Sequence, residues 1–193
     1  MNLVVDRLVN FAEANRELSR YDVAKLRFML EVIFLNTMEF VFFAVIFAAI
    51  GRMVEFLIVV GVLMSVRVFS GGFHLKKYRY CVLLSGTIFG LVILVLPDIS
   101  QMVGVMEALL AISILLNIAL APVSKRNAAH SAKNNFIIKM ISTAILLIYT
   151  FLLLNARDNP YVSMITWMLF IQAVQLIVGK VLILHGNNKK RYA

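Results

Sequence analysis

Long apolar runs constrain this chain more than any other feature of its sequence. Five of them are long enough, or nearly so, to cross a bilayer: residues 30–50, 82–96, 103–121, 136–154 and 161–184. Crossing ~30 Å of hydrocarbon takes about 20 helical residues. The chain is 62% hydrophobic and 15% charged, whereas soluble proteins average about 45–50% and about 25%. The sequence therefore predicts an all-α, polytopic membrane protein.

The basic residues predict how the chain crosses the membrane. We place six transmembrane helices at residues 28–50, 53–69, 81–96, 102–122, 136–154 and 161–184. Of the 19 Lys and Arg residues, only Arg52 and Arg157 fall on one side of this arrangement. Because basic residues resist translocation, the side that carries the others is cytoplasmic. Both termini are then inside the cell.

The N-terminal segment has a different pattern. Apolar side chains recur at helical spacing among charged ones over residues 3–26: Val4, Leu8, Phe11 and Leu18. This pattern predicts that residues 1–27 hold an amphipathic helix at the cytoplasmic interface, either a surface anchor or a docking helix for a substrate. Ser19 and Asp22 are spaced as a capping box for the helix that follows.

Several classes of function are not supported. Residues 1–193 form one predicted domain, because no repeat, low-complexity tract or long linker interrupts them. A single cysteine excludes an internal disulfide, and no Cys/His cluster has metal-ligand spacing, so we expect no metal or cofactor. The net charge of +9 lies in short loops rather than on a continuous basic face. We therefore expect no nucleic-acid partner.

The loop between the second and third spans is the best candidate for chemistry. Gly71 and Gly72 predict a turn between two short spans, so the loop is expected to dip into the membrane interface within a sheltered pocket. His74 and Cys81 follow this turn. An imidazole that takes the proton of a thiol generates a nucleophilic thiolate. For His74 to reach Cys81 in this way, it must precede the helix that carries Cys81. The alternative is a solvated loop histidine and a buried structural cysteine.

These residues resemble the AgrB family, the accessory gene regulator protein B of bacterial quorum sensing. The resemblance rests on Arg67-x4-Gly72-x-His74-x6-Cys81, with Gly71 before Gly72, and on the size and span pattern of nearly the whole chain. A second match is Ala121-Pro122-Val123 at the end of the fourth span.

The resemblance implies a cysteine endopeptidase in the bacterial plasma membrane with its active site on the cytoplasmic side. Its substrate would be an AgrD-like propeptide, and its assembly a homodimer in the lipid bilayer. The catalytic pair would be His74 and Cys81, and Arg67 and Gly72 would have supporting roles. Cys81 would release the C-terminal tail of the propeptide and hold the remainder as a thioester. A cysteine or serine of the peptide would then close a thiolactone or lactone.

Other polar residues leave alternatives open. Lys76, Lys77 and Arg79 could steer an acidic propeptide tail, or could simply follow the charge rule for cytoplasmic loops. Arg67 could pair with Glu31, contact substrate or snorkel to the interface. A third catalytic group is not singled out among five candidates: Glu31, Ser70, Asn127, Asn134 and Asn135.

A different class of function also fits the polar residues within the apolar runs. A small transporter or peptide-binding protein without catalysis could use Glu39, Asn117, Gln172 and Gln175 as a substrate path. Glu39 could equally make an interhelical hydrogen bond to such residues. The two functions differ at Cys81, because a transporter should tolerate its replacement by alanine.

Overall fold

The computed structural model describes residues 3–15, 19–72, 78–96, 104–123 and 132–191, and these residues are almost entirely helical. The helices are α1 (Leu3–Asn15), α2 (Arg20–Ala49), α3 (Met53–Ser70), α4 (Tyr78–Gly90), α5 (Val105–Leu120), α6 (Ala132–Asn155) and α7 (Val162–Arg191). A π-helical segment, Leu91–Val95, continues α4.

The predicted all-α membrane class is confirmed, and a helix lies at each of the six predicted spans. Among the described residues, four helices are long and apolar enough to cross a membrane: Tyr21–Ala49, Met53–Ser70, Asn134–Asn155 and Val162–Ile183. The third and fourth predicted spans correspond to shorter apolar helices, Arg79–Val95 and Val105–Leu120. The count of six crossings and the inside location of both termini stay predictions.

The chain divides into two compact units, Met1–Gly51 and Arg52–Ala193. In the first unit α1 packs on α2 and buries Val5 and Val9, whereas Leu8 and Phe11 are exposed. The side chains of Arg27 and Asp6 form an ion pair between the two helices. The apolar residues of α1 therefore serve two purposes, packing on α2 and forming an outward apolar surface.

The helix predicted from the pattern over residues 3–26 is wrong at its C-terminal end, because α1 ends at Asn15 and α2 begins at Arg20. The predicted cap at Ser19 explains the start of α2. The Ser19 hydroxyl accepts a hydrogen bond from the Asp22 backbone N–H at 3.2 Å and donates one to the Asp22 carboxylate at 2.7 Å. This satisfies one of the unpaired N–H groups of the first turn, so the helix starts before the apolar run does.

In the second unit α7 is the most enclosed candidate span. Of its most apolar window, 56% is buried, compared with 17% for α6. It packs against α3 and α5. The outer face of α6 carries exposed Leu147 and Phe151. Large apolar side chains that face outward in this way are expected where lipid replaces water around the protein.

The end of α5 differs from the predicted span 102–122. The helix stops at Leu120, and Ala121 has an extended backbone with φ −71° and ψ 150°. Pro122 accounts for this, because the proline ring disfavours a helical conformation in the residue before it. Ala121, Pro122 and Val123 thus leave α5 as an extended segment, which reaches the end of α3.

Candidate active site

The end of α3 and the end of α5 are joined by backbone hydrogen bonds. The Val123 N–H donates to the Ser70 carbonyl at 2.9 Å, and the Gly72 N–H donates to the Val123 carbonyl at 3.2 Å. Gly71 and Val123 form a short parallel bridge between these bonds. The two segments that carry the AgrB-like pattern, about fifty residues apart in sequence, therefore meet at one place.

Gly71 occupies a position that only glycine tolerates. Its φ of 80° and ψ of −160° lie in a region that residues with a Cβ essentially never occupy. A Cβ added there would also overlap the carbonyl oxygen of Val123. The first glycine of the pair is thus required both by the turn and by the close approach of the two segments.

Gly72 and Arg67, which are five residues apart in the sequence pattern, lie against each other. A Cβ added at Gly72 would be 3.1 Å from Nε and 3.5 Å from Cζ of Arg67. The guanidinium group covers the second glycine, and a larger residue would push it aside. Among the possible roles of Arg67, the pairing with Glu31 stays a prediction.

Gln172 on α7 also holds this turn. Its Nε2 donates to the Gly71 carbonyl at 2.9 Å and to the Ser70 hydroxyl at 3.1 Å. The side chain is 2% exposed. The sequence made Gln172 a candidate for a substrate path or for a hydrogen bond to Glu39, and its contact with the glycine turn was not predicted. Its amide in an apolar helix signalled the need for a partner, but nothing in the sequence indicated which one.

A small hydrophobic cluster supports the other side of the bridge. Ala121 and Val123 are buried against Leu176 of α7, with Leu120 and Ile183 packed around them. The extended segment after α5 is therefore held on α7 by apolar contacts, and the turn after α3 is held on the same helix by Gln172. Together the three elements form a connected cluster, here called the bridge: Ser70, Gly71, Gly72, Ala121, Pro122, Val123 and Gln172.

Cys81 is the fourth residue of α4, is partly buried and forms no disulfide. Arg79, two residues earlier, is exposed. His74, Lys76 and Lys77 fall at 73–77, outside the described residues. The structure thus brings Arg67, Gly71 and Gly72 together, and the contact between His74 and Cys81 stays a prediction.

Asn117, another polar residue of the spans, has partners on α6. The Ser142 hydroxyl donates to Asn117 Oδ1 at 2.9 Å, and Asn117 Nδ2 donates to the Thr143 hydroxyl at 3.1 Å. Asn117 is 1% exposed. Asn117 and Gln172 are therefore engaged in contacts between helices and do not line an open path of the kind that a transporter needs.

Among the described residues, a cavity of about 230 Å³ lies at the far end of α3 from the glycine turn. Its lining includes Arg52 and Glu55, whose side chains form an ion pair at 2.9 Å, together with Ile93, Leu94, Pro160, Tyr161 and Met164. The full length of α3, about 27 Å at ~1.5 Å per residue, separates it from the bridge. We assign this cavity no part in the chemistry at Cys81.

Comparisons with known proteins extend the resemblance to most of the chain. The family model for accessory gene regulator B matches residues 5–176. A curated relative from Clostridium beijerinckii, named as AgrB-like, is 28% identical over 188 residues, which cover 94% of this chain and 92% of the relative. No solved structure matches the chain with significant similarity. The chain therefore belongs to the AgrB family, a membership that suggests a role in the processing of autoinducer peptides for quorum sensing at the membrane.

Proposed function

We propose that this protein is a membrane-embedded cysteine endopeptidase that removes the C-terminal tail of an AgrD-like propeptide. The observation that carries the proposal is the bridge, which holds the glycine turn of the family pattern at a fixed place between α3, α5 and α7. Arg67 and Gly72 of the same pattern contact each other there. Such a base is what a short catalytic loop needs if it is to present a side chain reproducibly.

In this mechanism His74 accepts the thiol proton and Cys81 attacks the scissile carbonyl. Cys81 lies near the N-terminal end of α4, the end of a helix at which partial positive charge favours an anion. The C–N bond breaks, the tail leaves with the proton from the imidazole, and the remaining peptide is held as a thioester on Cys81. Attack by a cysteine or serine within the peptide then forms the ring and returns the thiol.

The surroundings suit a step that must avoid water. Exchange of one thioester for another changes the free energy little, so cyclisation wins only if hydrolysis is slow. Cys81 is partly buried, and α4 belongs to an apolar stretch, Arg79–Val95. A site between lipid-facing helices would limit the access of water to the thioester.

The propeptide and the membrane supply the remaining parts of the proposal. In the proposed arrangement of six crossings with both termini inside, the glycine turn and Cys81 lie on the cytoplasmic side of the plasma membrane. There the exposed Arg79, with Lys76 and Lys77 next to it in sequence, attracts the acidic tail of an AgrD-like substrate. We also propose that the protein is a homodimer, as the family resemblance implies.

The test is the behaviour of the two catalytic residues in detergent-solubilised, folded protein. With an AgrD-type propeptide that the wild-type protein cleaves, Cys81→Ala and His74→Ala should abolish cleavage, and Cys81→Ser should bind the propeptide without cutting it. At pH 7 iodoacetamide should label Cys81 faster than it labels a model thiol, once the two rates are corrected for accessibility. His74→Ala should slow the labelling of Cys81. If His74→Ala leaves the labelling rate of Cys81 unchanged, the catalytic pair is rejected. Cleavage that survives Cys81→Ala would reject the peptidase.

A further inference from the structure

The hydrogen-bonding geometry of Gln172 is fixed by its partners. A backbone carbonyl can only accept hydrogen bonds, so the nitrogen of the Gln172 amide, not its oxygen, must face Gly71. The second N–H of the same nitrogen is used by the Ser70 hydroxyl. Both donors of the amide are therefore committed to the turn after α3.

The other half of the same amide has no partner. Gln172 Oε1 is buried and accepts no hydrogen bond among the residues that the structure describes. A buried acceptor without a donor offsets much of what the two donated bonds contribute to stability. An apolar side chain of similar size would remove this unpaired acceptor but would leave the Gly71 carbonyl without the amide donor. These two effects on stability oppose each other, so we expect the amide to contribute mainly to the geometry of the turn.

The burial of this contact makes its geometry important. Gln172 is 2% exposed, and Ser70 is fully buried. A backbone carbonyl at a helix end with little water around it needs a donor from the protein. Gln172 supplies one to the Gly71 carbonyl at 2.9 Å, and the Ser70 hydroxyl supplies a longer one at 3.4 Å.

We propose that Gln172 is a positioning residue for the peptidase: by holding the Gly71 carbonyl, it fixes the backbone from which the chain runs on to His74, three residues later. This inference rests on the proposed function. Gln172 acts through Gly71 and not on the thiol or the propeptide. Its loss removes the hydrogen bonds between the turn and α7, so we expect slower labelling of Cys81 and slower cleavage in a protein that still folds.

The test compares Gln172→Met with Gln175→Met. Both residues are buried on α7, and the hydrogen bonds that hold the glycine turn come from Gln172 and not from Gln175. Gln172→Met should slow iodoacetamide labelling of Cys81 and lower kcat for the propeptide at least tenfold, with KM within about twofold of wild type. Gln175→Met should keep both rates. The single tryptophan, Trp167, reports by its fluorescence that each variant is folded.

A double variant separates positioning from a general loss of stability. If Gln172 acts through His74, then Gln172→Met should slow the labelling of Cys81 no further in a His74→Ala background. An equal effect of Gln172→Met in both backgrounds, or rates equal to those of Gln175→Met, would overturn the inference.

If Gln172→Met does not fold, Gln172→Asn replaces it in the same comparisons, because its amide is one methylene too short to hold Gly71. Loss of cleavage in His74→Ala and Cys81→Ser but not in Gln172→Met would reject this inference alone, whereas cleavage that persists in Cys81→Ala would reject the peptidase itself.

Discussion

Replacing Gly71 by alanine should damage the bridge more than any other single glycine substitution on α3 or its turn. The backbone conformation at Gly71 costs a residue with a Cβ about 1–3 kcal/mol, and its φ is 80°. The added Cβ would also overlap the Val123 carbonyl oxygen. If the two segments move apart, two backbone hydrogen bonds are lost at about 0.5–1.5 kcal/mol each. The expected loss of folding free energy is therefore about 2–6 kcal/mol.

Two other glycines provide graded controls for this prediction. At Gly72 an added Cβ would meet the flexible end of Arg67 at 3.1 Å, so Gly72→Ala should cost on the order of 1 kcal/mol. At Gly61, within α3, an added Cβ would meet nothing within 4 Å. Gly61→Ala should be neutral or should stabilise the helix by about 0.5–1 kcal/mol.

The assay is unfolding in a titration with sodium dodecyl sulfate, followed by the fluorescence of Trp167, together with propeptide cleavage by the fraction that is folded. Stability should decrease in the order Gly61→Ala, Gly72→Ala, Gly71→Ala. Cleavage per folded molecule should be unchanged in Gly61→Ala, should fall moderately in Gly72→Ala and should fall at least tenfold in Gly71→Ala. A Gly71→Ala variant as stable as Gly61→Ala would refute the reasoning from conformation and overlap. Wild-type cleavage by that variant would show that the bridge does not position the site.

Two further predictions concern the membrane arrangement and the buried polar contacts. In a Cys81→Ala background, cysteines introduced near positions 77, 130 and 190 should be labelled from the cytoplasm and those near 52, 99 and 158 from outside; labelling of position 77 from outside would contradict the six-span arrangement. Asn117→Leu removes the bonds to Ser142 and Thr143 and should destabilise the protein by about 1–2 kcal/mol without changing cleavage per folded molecule. A selective loss of cleavage in Asn117→Leu would instead place this residue on the path of the peptide.

The sequence predicted those parts of the fold that depend on local pattern. The apolar runs predicted a helix at each proposed span, and Ser19 predicted the start of α2 through its cap. The helix boundaries differ from the predicted ones where a local signal, a proline or a helix cap, competes with the apolar pattern. Pro122 ended α5 two residues before the predicted limit, and the cap at Ser19 drew residues 20–27 into α2. In both places backbone sterics or hydrogen bonding outweighed hydrophobicity, which varies too gradually along the chain to set a boundary.

The site was predictable only where a residue type is itself diagnostic. Two adjacent glycines predict a turn because no other residue tolerates some of the backbone angles that turns use, and Gly71 has such angles. The partner of that turn was not predictable. Val123 contacts Gly71 through backbone atoms, which every residue has. The contact therefore cannot be inferred from the type of residue at position 123. Ala121-Pro122-Val123 was noticed through family resemblance, and the physical reason for its proximity to the glycine turn came from the structure.

For polar residues in apolar helices, the sequence shows that a partner is needed but does not show which one. An amide or carboxyl group in hydrocarbon needs a hydrogen-bonding partner, but any donor or acceptor at the same depth satisfies that need. The sequence therefore does not distinguish Gln172 from Asn117. In the structure Gln172 holds the turn of the proposed site, and Asn117 joins α5 to α6. What distinguishes them is whether the partner is a side chain of a neighbouring helix or the backbone at a helix end. A side-chain partner could be exchanged for an apolar pair, whereas a backbone carbonyl must always be satisfied. The contact of Gln172 with Gly71 is therefore the harder of the two to replace without changing the geometry of its surroundings.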